Sequence, residues 1–381
     1  MNFDLTDEQT LLKSMLRQFL TQRYGFRDRV VASRCEPGYR PEIWRAFVDE
    51  LGLPGVIVPE VHGGLGGGAI EQLVVMEEIG RQLVLEPVAE TVFQAGWLLA
   101  RGQGASLALL DRIVNEGLIA SLAIGEPEMR FDFEDIATCA RQTDGGWELD
   151  GRKAVVIGAP WAQALIVAAR TSGQPGDGAG LTLFAMPADA QGIALVPYPT
   201  IDGRRAADVV FSGVTVSADS IIGPVDGGLD LLDELRDRAL AAQAAEAAGL
   251  LDRLVSDTVD YCKQRQQFGQ PLAAFQALQH RMVDMHIQVE LVRAAAILAA
   301  ARLDAPRHER AAAASSAKIA VAQACRFVGQ NAVQLHGGMG MTDELPIGHY
   351  FKRATQIETE WGSESWHVAR RNRIALESQA A

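Results

Sequence analysis

The chain has 381 residues, 48% of them apolar, and a formal net charge of -13. That length exceeds what one hydrophobic core usually supports, so two or three structural units are expected. The acidic balance excludes a nucleic-acid surface and docking on anionic lipid.

Four cysteines, Cys35, Cys139, Cys262 and Cys325, lie far apart and form no C-x-x-C pair. Neither a disulfide framework nor a zinc site is indicated, and each reads as a small buried apolar residue. The acidic start, Met1 to Glu8, lacks a basic and apolar leader, and no uncharged run is long enough to span a bilayer. A soluble, cytoplasmic protein without membrane contact is the expectation.

In chain order, Thr6-Asp7-Glu8-Gln9 has the composition of a helix start, with Leu12, Leu16, Phe19 and Leu20 at helical spacing behind it. Helical patterns recur at Pro41 to Leu51, Ala69 to Leu83 and Pro87 to Arg101. Between them, Glu60 to Gly68 is a glycine-rich loop without a following P-loop lysine, which reads as a structural turn more readily than as a phosphate cradle.

Near Leu118 the period changes. Leu118–Ile124, Trp147–Leu149, Ala154–Ile157, Ala164–Ala169, Leu181–Ala185 and Asp208–Phe211 are short apolar runs separated by Gly, Pro and Asp. They predict a compact antiparallel β unit of barrel type. After Asp226-Gly227-Gly228, long helices return over Leu231 to Cys262, Phe275 to Leu303 and Ala311 to Leu335, and their small residues suit a four-helix bundle. The chain thus divides at 1–118, 119–226 and 227–381 into a helical, a β and a second helical segment.

Two stretches carry chemistry. Asp260 to Leu272, with Phe275-Gln276 behind it, is a corner between two long helices, closed by Gly269 and Pro271. There Arg265 suits an anion and Phe268 a ring, although a plain helix hairpin has the same outline. The second, Gln334-Leu335-His336-Gly337-Gly338-Met339-Gly340-Met341-Thr342, is a glycine-rich turn after an alanine-rich helix, where backbone amides can approach a ligand.

Taken together, R-x-x-F-G with P-x-x-x-F-Q, followed by Q-L-H-G-G-M-G-x-T, Val58 to Gly66 and Gly125-Glu126-Pro127, resemble the acyl-CoA dehydrogenase family. The resemblance implies an α+β fold: an N-terminal helical domain, a middle antiparallel β-barrel domain and a C-terminal four-helix bundle. It also implies FAD as cofactor, an acyl-CoA substrate, electron-transferring flavoprotein as acceptor, and a homotetramer or a heterotetramer with a second subunit. Arg265, Phe268, Gln276, Gln334, Gly337 and Gly338 stand where the family binds the flavin's pyrophosphate and adenosine, largely on behalf of a neighbouring subunit.

The reaction so implied takes a proton α to the thioester with a carboxylate and passes the β-hydride to flavin. The family's usual Glu before Gly-Thr is replaced here in Trp361-Gly362-Ser363, leaving Glu360 one position early. A minority of the family places the base on the long helix just before an Arg, which points to Asp237, ahead of Arg238; Asp237 is equally an ordinary acid early in a helix. Two flavin contacts are also altered: Glu128-Met129-Arg130 follows Gly125-Glu126-Pro127, and Val155-Val156-Ile157 replaces a Trp-Ile-Thr strand.

This combination resembles the small subunits of heteromeric acyl-CoA dehydrogenases acting on dicarboxylyl or steroid side-chain thioesters, the pimeloyl-CoA dehydrogenase small subunit among them. A catalytic dehydrogenase and a non-catalytic partner completing another chain's FAD site are both open. His336 reads as structural, Glu246 as a salt-bridge partner in the bundle, Lys352-Arg353 as a solvated or interface pair, and His280 with His286 as no metal site.

Overall fold

The structure, a computed structural model, describes residues 4 to 380. Helix α1 (Asp7–Arg23) opens at Thr6 with a reciprocal cap. The Thr6 hydroxyl accepts from the Gln9 amide at 3.2 Å, and Gln9 Oε1 accepts from the Thr6 amide at 3.0 Å. Helices α2 (Phe26–Arg34), α3 (Pro41–Asp49) and α4 (Ala69–Gln82) follow.

The single α-helix expected over Pro87 to Arg101 is corrected by the structure. Ala89–Ala95 is a π-helix, with the Gly96 amide donating to Thr91 O five residues back, and only Gly96–Leu99 (α5) is α. The widened turn carries Glu90 inward, where Arg204 donates to its carboxylate at 2.8 Å. Helix α6 (Ala105–Glu116) completes this part.

Eight strands come next: β1 (Ala120–Ala123), β2 (Cys139–Thr143), β3 (Gly146–Ile157), β4 (Ala164–Arg170), β5 (Leu181–Pro187), β6 (Ile193–Pro199), β7 (Arg205–Val216) and β8 (Ile221–Ile222). They form one sheet in the order β6-β7-β3-β2-β4-β5-β8, with β1 beside β4. Pairing is antiparallel except for β1 with β4 and a one-residue bridge between β2 and β4. Trp147, Leu149, Leu165, Phe184 and Phe211 pack together as its core. Strands β2, β6 and β8 were not expected. β6 carries Pro197 and Pro199, which an end strand tolerates because the unused side of its ladder needs no donor.

Beyond the sheet run α7 (Gly228–Gln264), a hairpin of β9 (Gln266–Gln267) and β10 (Gln270–Pro271), α8 (Gln276–Ala301), α9 (Arg307–His336), α10 (Ile347–Thr359) and α11 (Glu364–Ala380). Cys262 and Cys325 are buried as expected, whereas Cys35 is exposed and Cys139 half-buried. No helix among the described residues is long and apolar enough to cross a membrane.

By compactness the chain forms two units. One contains residues up to Asp28, Ala69–Val84 and the chain from Leu240 onward; the other contains Arg29–Gly68 and Leu85–Ala239. In the first, α4 and α7 cross with their backbones touching. A Cβ on Gly249 would overlap the Glu77 carbonyl oxygen, and one on Gly80 would overlap that of Glu246. This contact draws a helix from the first segment into the bundle core of Leu251, Met285, Val289, Val321 and Ala354.

Gly249→Ala should therefore lower stability by about 1–3 kcal/mol in urea unfolding, because neither backbone can yield locally. Gly338→Ala, which meets open space, should stay within about 0.5 kcal/mol of the parent.

Candidate functional site

The corner after α7 is a two-residue hairpin turn. Gln267 pairs with Gln270 and Gln266 with Pro271, which leaves Phe268 and Gly269 at φ +53° and +80°. That is the geometry of a type I′ turn, whose first position ordinarily takes Asn, Asp or Gly. A phenylalanine there costs energy, yet its ring is 91% exposed, set edge-on to Phe275 with centroids 6.2 Å apart. The Leu272 amide donates to Arg265 O at 2.9 Å and closes the base of the hairpin. Arg265 and Gln276 are exposed beside it.

A second lip lies against the first. α9 ends at His336, and Gly337 continues at φ +58°, ψ -139°, a conformation open only to glycine. A Cβ on Gly337 or Gly338 would meet no atom within 4 Å, so both glycines face open space. Gln334 is exposed one turn earlier.

Tyr261 joins the two lips: its ring stacks on His336 at 4.3 Å, and its hydroxyl donates to His336 O at 3.4 Å. His336 is buried, its Nδ1 lies 2.8 Å from Ala332 O, and burial holds its pKa below the usual histidine value. Its role is structural. Arg265, Phe268, Gln276, Gln334, Gly337 and Gly338 thus belong to one neighbourhood, presented outward.

Glu360 occupies a different setting in the same unit. Its carboxylate accepts from Gln243 Nε2 at 3.0 Å and from Arg353 at 3.1 Å, and its carbonyl accepts from Lys318 Nζ at 2.6 Å. Lys318 also donates to Gln243 Oε1 at 2.7 Å and to Ile357 O. Arg353 grips Glu246 through two bonds of 2.6 and 2.8 Å. Glu246 is a bundle salt-bridge partner, as the sequence indicates, but Arg353 is buried rather than solvated, and Lys352 of that pair is half-buried.

Burial pushes the Lys318 ammonium down to about 8 and the neighbouring Cys325 thiol up to about 12. The next residue, Trp361, is held at φ +63°, its carbonyl accepting from His367 Nε2 at 3.1 Å.

Asp237 belongs to the other unit. It is 1% exposed on α7, between Arg236, which donates to Phe131 O at 2.6 Å and lies 3.8 Å from the Phe133 ring, and Arg238, which pairs with Glu234 at 3.0 Å. In that unit Glu126 is structural. It accepts from the Ala137 and Thr138 amides at 2.8 and 2.9 Å and from buried Lys153 at 2.7 Å, and the Lys153 charge holds its pKa low against the opposing effect of burial.

Two residues on, Val155 is 53% exposed at φ +54°, where a β-branched residue is strained. A slip in the β3–β7 register places it there, and its amide donates to Tyr198 Oη at 3.1 Å.

Lys318, Gln243 and Lys153 were not singled out from the sequence. For Lys318 a signal existed: Ala311, Ala314, Lys318, Val321 and Cys325 share one helical face, which places the lysine on a buried stripe.

Three family profiles match this geometry in chain order. Those described as acyl-CoA dehydrogenase, N-terminal domain, middle domain and C-terminal domain cover residues 6–100, 121–214 and 227–373. The chain belongs to the acyl-CoA dehydrogenase family, an oxidoreductase family whose cofactor is FAD.

It is 30% identical to acyl-CoA dehydrogenase IpdE2 of Mycolicibacterium smegmatis over 356 residues, 92% of this chain and 93% of the relative. It is 28% identical to the probable acyl-CoA dehydrogenase YngJ of Bacillus subtilis over 371 residues, 95% and 96% of the two chains. Among solved structures it is similar to a chain of the ChsE4-ChsE5 complex from Mycobacterium tuberculosis, with TM-score 0.89, 25% identity and 99% coverage of both chains. A variant of the Tcur3481-Tcur3483 steroid ACAD gives 0.87 and 28%, covering 98% of this chain and 99% of that one.

The residues present suit one end of FAD. An exposed guanidinium, two primary amides, a solvent-facing aromatic and two open glycines match a pyrophosphate and an adenosine. In the other unit, the strand that the resemblance expects to face a flavin ring carries Val155, buried Val156 and half-buried Ile157, whose side chains offer no hydrogen-bond donor.

Replacing Lys318 with Met should cost about 3 kcal/mol or more in denaturant unfolding, because Gln243 Oε1 and two carbonyls lose their donor. The pH dependence has a definite sign. The Lys318 pKa is about 8 folded against 10.5 unfolded, so between those values the unfolded chain binds more protons. The contribution of this lysine to stability rises with pH across that window and falls as pH drops through 8. In paired titrations, Lys318→Met should lack this slope.

Proposed function

We propose that this chain is an FAD-dependent acyl-CoA dehydrogenase subunit that lends its hairpin corner to the flavin of a neighbouring subunit and uses Asp237 as its base. The observation that carries the reading is Phe268: an aromatic ring 91% exposed on a turn that penalises it, beside glycines open to solvent. Such a residue is explained by a ring laid on it, and its outward aim suits a cofactor held mainly by another chain.

Of the two candidate carboxylates we favour Asp237, which stands before Arg238 at the position the family resemblance gives for an alternative base and is buried in the long helix. In the reaction Asp237 takes the α-proton, the Cα–H pair becomes the Cα–Cβ double bond, and a hydride leaves Cβ. FAD, when bound, would supply the hydride acceptor, and an electron-transferring flavoprotein would be the onward electron acceptor. Arg265, Gln276 and Gln334 would hold the cofactor's phosphates and adenosine, and Phe268 would lie against a ring.

The substrate we favour is a bulky thioester of the dicarboxylyl or steroid side-chain class, handled in the cytoplasm by a heterotetramer. The 25% and 28% identical structures, a two-protein complex and a steroid ACAD, support that direction. A second reading, in which the chain only completes a partner's FAD site, is favoured by Trp361 at the usual base position and by the donor-free Val155-Val156-Ile157 strand.

Anaerobic titration of the flavin-saturated protein with straight, branched, dicarboxylyl and steroid-derived acyl-CoAs separates the two. Bleaching of the flavin band that Asp237→Asn abolishes is the expected outcome; a flavin that no acyl-CoA bleaches points to the partner role. Arg265→Ala with Phe268→Ala should weaken FAD binding at least tenfold, read by flavin fluorescence, without loss of helical circular dichroism.

A further inference from the structure

Asp237 is buried on α7, and an aspartate is a short base. Its carboxylate sits one carbon nearer the backbone than a glutamate's and has one rotatable bond fewer. The direction in which it can take a proton therefore follows the rotation of the helix closely.

The two residues that flank it are both laid on aromatic rings. Successive residues of an α-helix point about 100° apart, so Arg236 and Arg238 leave α7 about 200° apart with Asp237 between them. The Arg236 guanidinium lies 3.8 Å from the Phe133 ring centroid and donates to Phe131 O at 2.6 Å. That segment is itself held: Arg170 donates to the carbonyls of Glu134 and Ile136 at 2.6 and 3.1 Å, and Glu126 accepts from the Ala137 and Thr138 amides. The Arg238 guanidinium lies 5.0 Å from the Trp97 ring centroid, and its Nε donates to Glu234 at 3.1 Å. Arg101, just past α5, holds the same ring: its guanidinium lies 3.7 Å from the centroid and donates to Trp97 O at 2.9 Å.

Tryptophan is a poor choice if position 97 needs only an apolar filler. The residue is 6% exposed, and its Nε1–H finds no acceptor among the described residues. A buried donor left in that state is destabilising, and leucine or phenylalanine would fill space without it. What the indole adds is the best cation-binding face of any side chain, and two guanidiniums lie over it.

We infer that Trp97 is a positioning residue for Asp237: through Arg238 it fixes the rotation of this part of α7 and so aims the carboxylate, as Phe133 does through Arg236. The inference rests on Asp237 being the base. A base displaced by about 1 Å loses on the order of a hundredfold in rate. Binding of the acyl-CoA, in which no proton moves, is spared.

The test is the reductive half-reaction of the full-length, FAD-saturated protein in anaerobic stopped flow. The probe is whichever of the straight, branched, dicarboxylyl and steroid-derived acyl-CoAs bleaches the parent flavin fastest, and the rate at saturation and the dissociation constant are read separately. Trp97→Leu should slow flavin reduction at least tenfold and leave the dissociation constant within twofold. Trp97→Phe, which keeps a ring under Arg238, should recover most of the rate. Arg238→Gln should slow reduction as Trp97→Leu does, and the double variant should be no slower than either, because both act through one contact. Should Trp97→Leu fail to fold by circular dichroism, Arg238→Gln carries the test. Reduction at the parent rate by the folded variant, while Asp237→Asn is silent, would overturn the inference and leave the base assignment standing. So would equal slowing by leucine and phenylalanine, or slowing matched by weaker acyl-CoA binding. A parent flavin that no acyl-CoA bleaches, or an Asp237→Asn variant bleached at the parent rate, overturns the base assignment and the inference with it.

Discussion

Four ionic side chains and one amide inside the helical bundle hold the turn on which the unusual part of this enzyme sits. Lys318 and Arg353 balance Glu246 and Glu360, with Gln243 bridging Lys318 to the Glu360 carboxylate. Burying these charges is costly unless each is paired. The pairing here reaches from α7 through α9 to the end of α10, so removing any member strands the others. Because Lys318 and His367 each hold a carbonyl of the Glu360–Trp361 turn, the backbone at Trp361 stays in the left-handed region although its side chain has no acid to aim. On the proposed reading this turn is the family's usual base position, held in shape here with a Trp in place of the acid.

Strain marks the other altered places too. Among the described residues, the non-glycine positions with positive φ are Leu83, Val155, Asp226, Phe268 and Trp361. Three of these five, Trp361, Val155 and Phe268, fall at positions that the proposed reading assigns to the usual base, a flavin-facing strand and the cofactor corner. Strain of this kind persists only where surrounding bonds over-determine it, and it gathers at functional sites. At Phe268 it displays a ring to solvent. At Val155 it accompanies the loss of the family's aromatic and hydroxyl partners. On the proposed reading, the corner around Phe268 serves a neighbouring subunit's flavin, while the Val155-Val156-Ile157 strand has no side-chain donor for one of its own.

Much of this was legible in the residues. The helix start at Thr6, the turn at Gly269 and the helix stop at Gly337 are set by local chemistry, and both lips of the corner could be named because glycine and proline punctuate them. The long helices appeared within a few positions of their ends, since apolar periodicity over thirty residues is a strong signal. What escaped depends on contacts between distant residues. The contacts of Gly80 with Glu246 and of Gly249 with Glu77, which interleave the chain, join residues far apart in sequence, and nothing local announces them. Arg353 looked solvated because its partner Glu246 lies on another helix. The π-helix at Ala89–Ala95 has the same apolar pattern as an α-helix, and β6 hid behind its prolines.

The central claim is that FAD is shared between subunits through the Phe268 corner. Native mass spectrometry of the FAD-loaded protein over a dilution series tests it most directly. If the claim holds, flavin leaves as the assembly dissociates, and single chains carry none. Single chains that retain FAD one to one, with affinity independent of protein concentration, would contradict it.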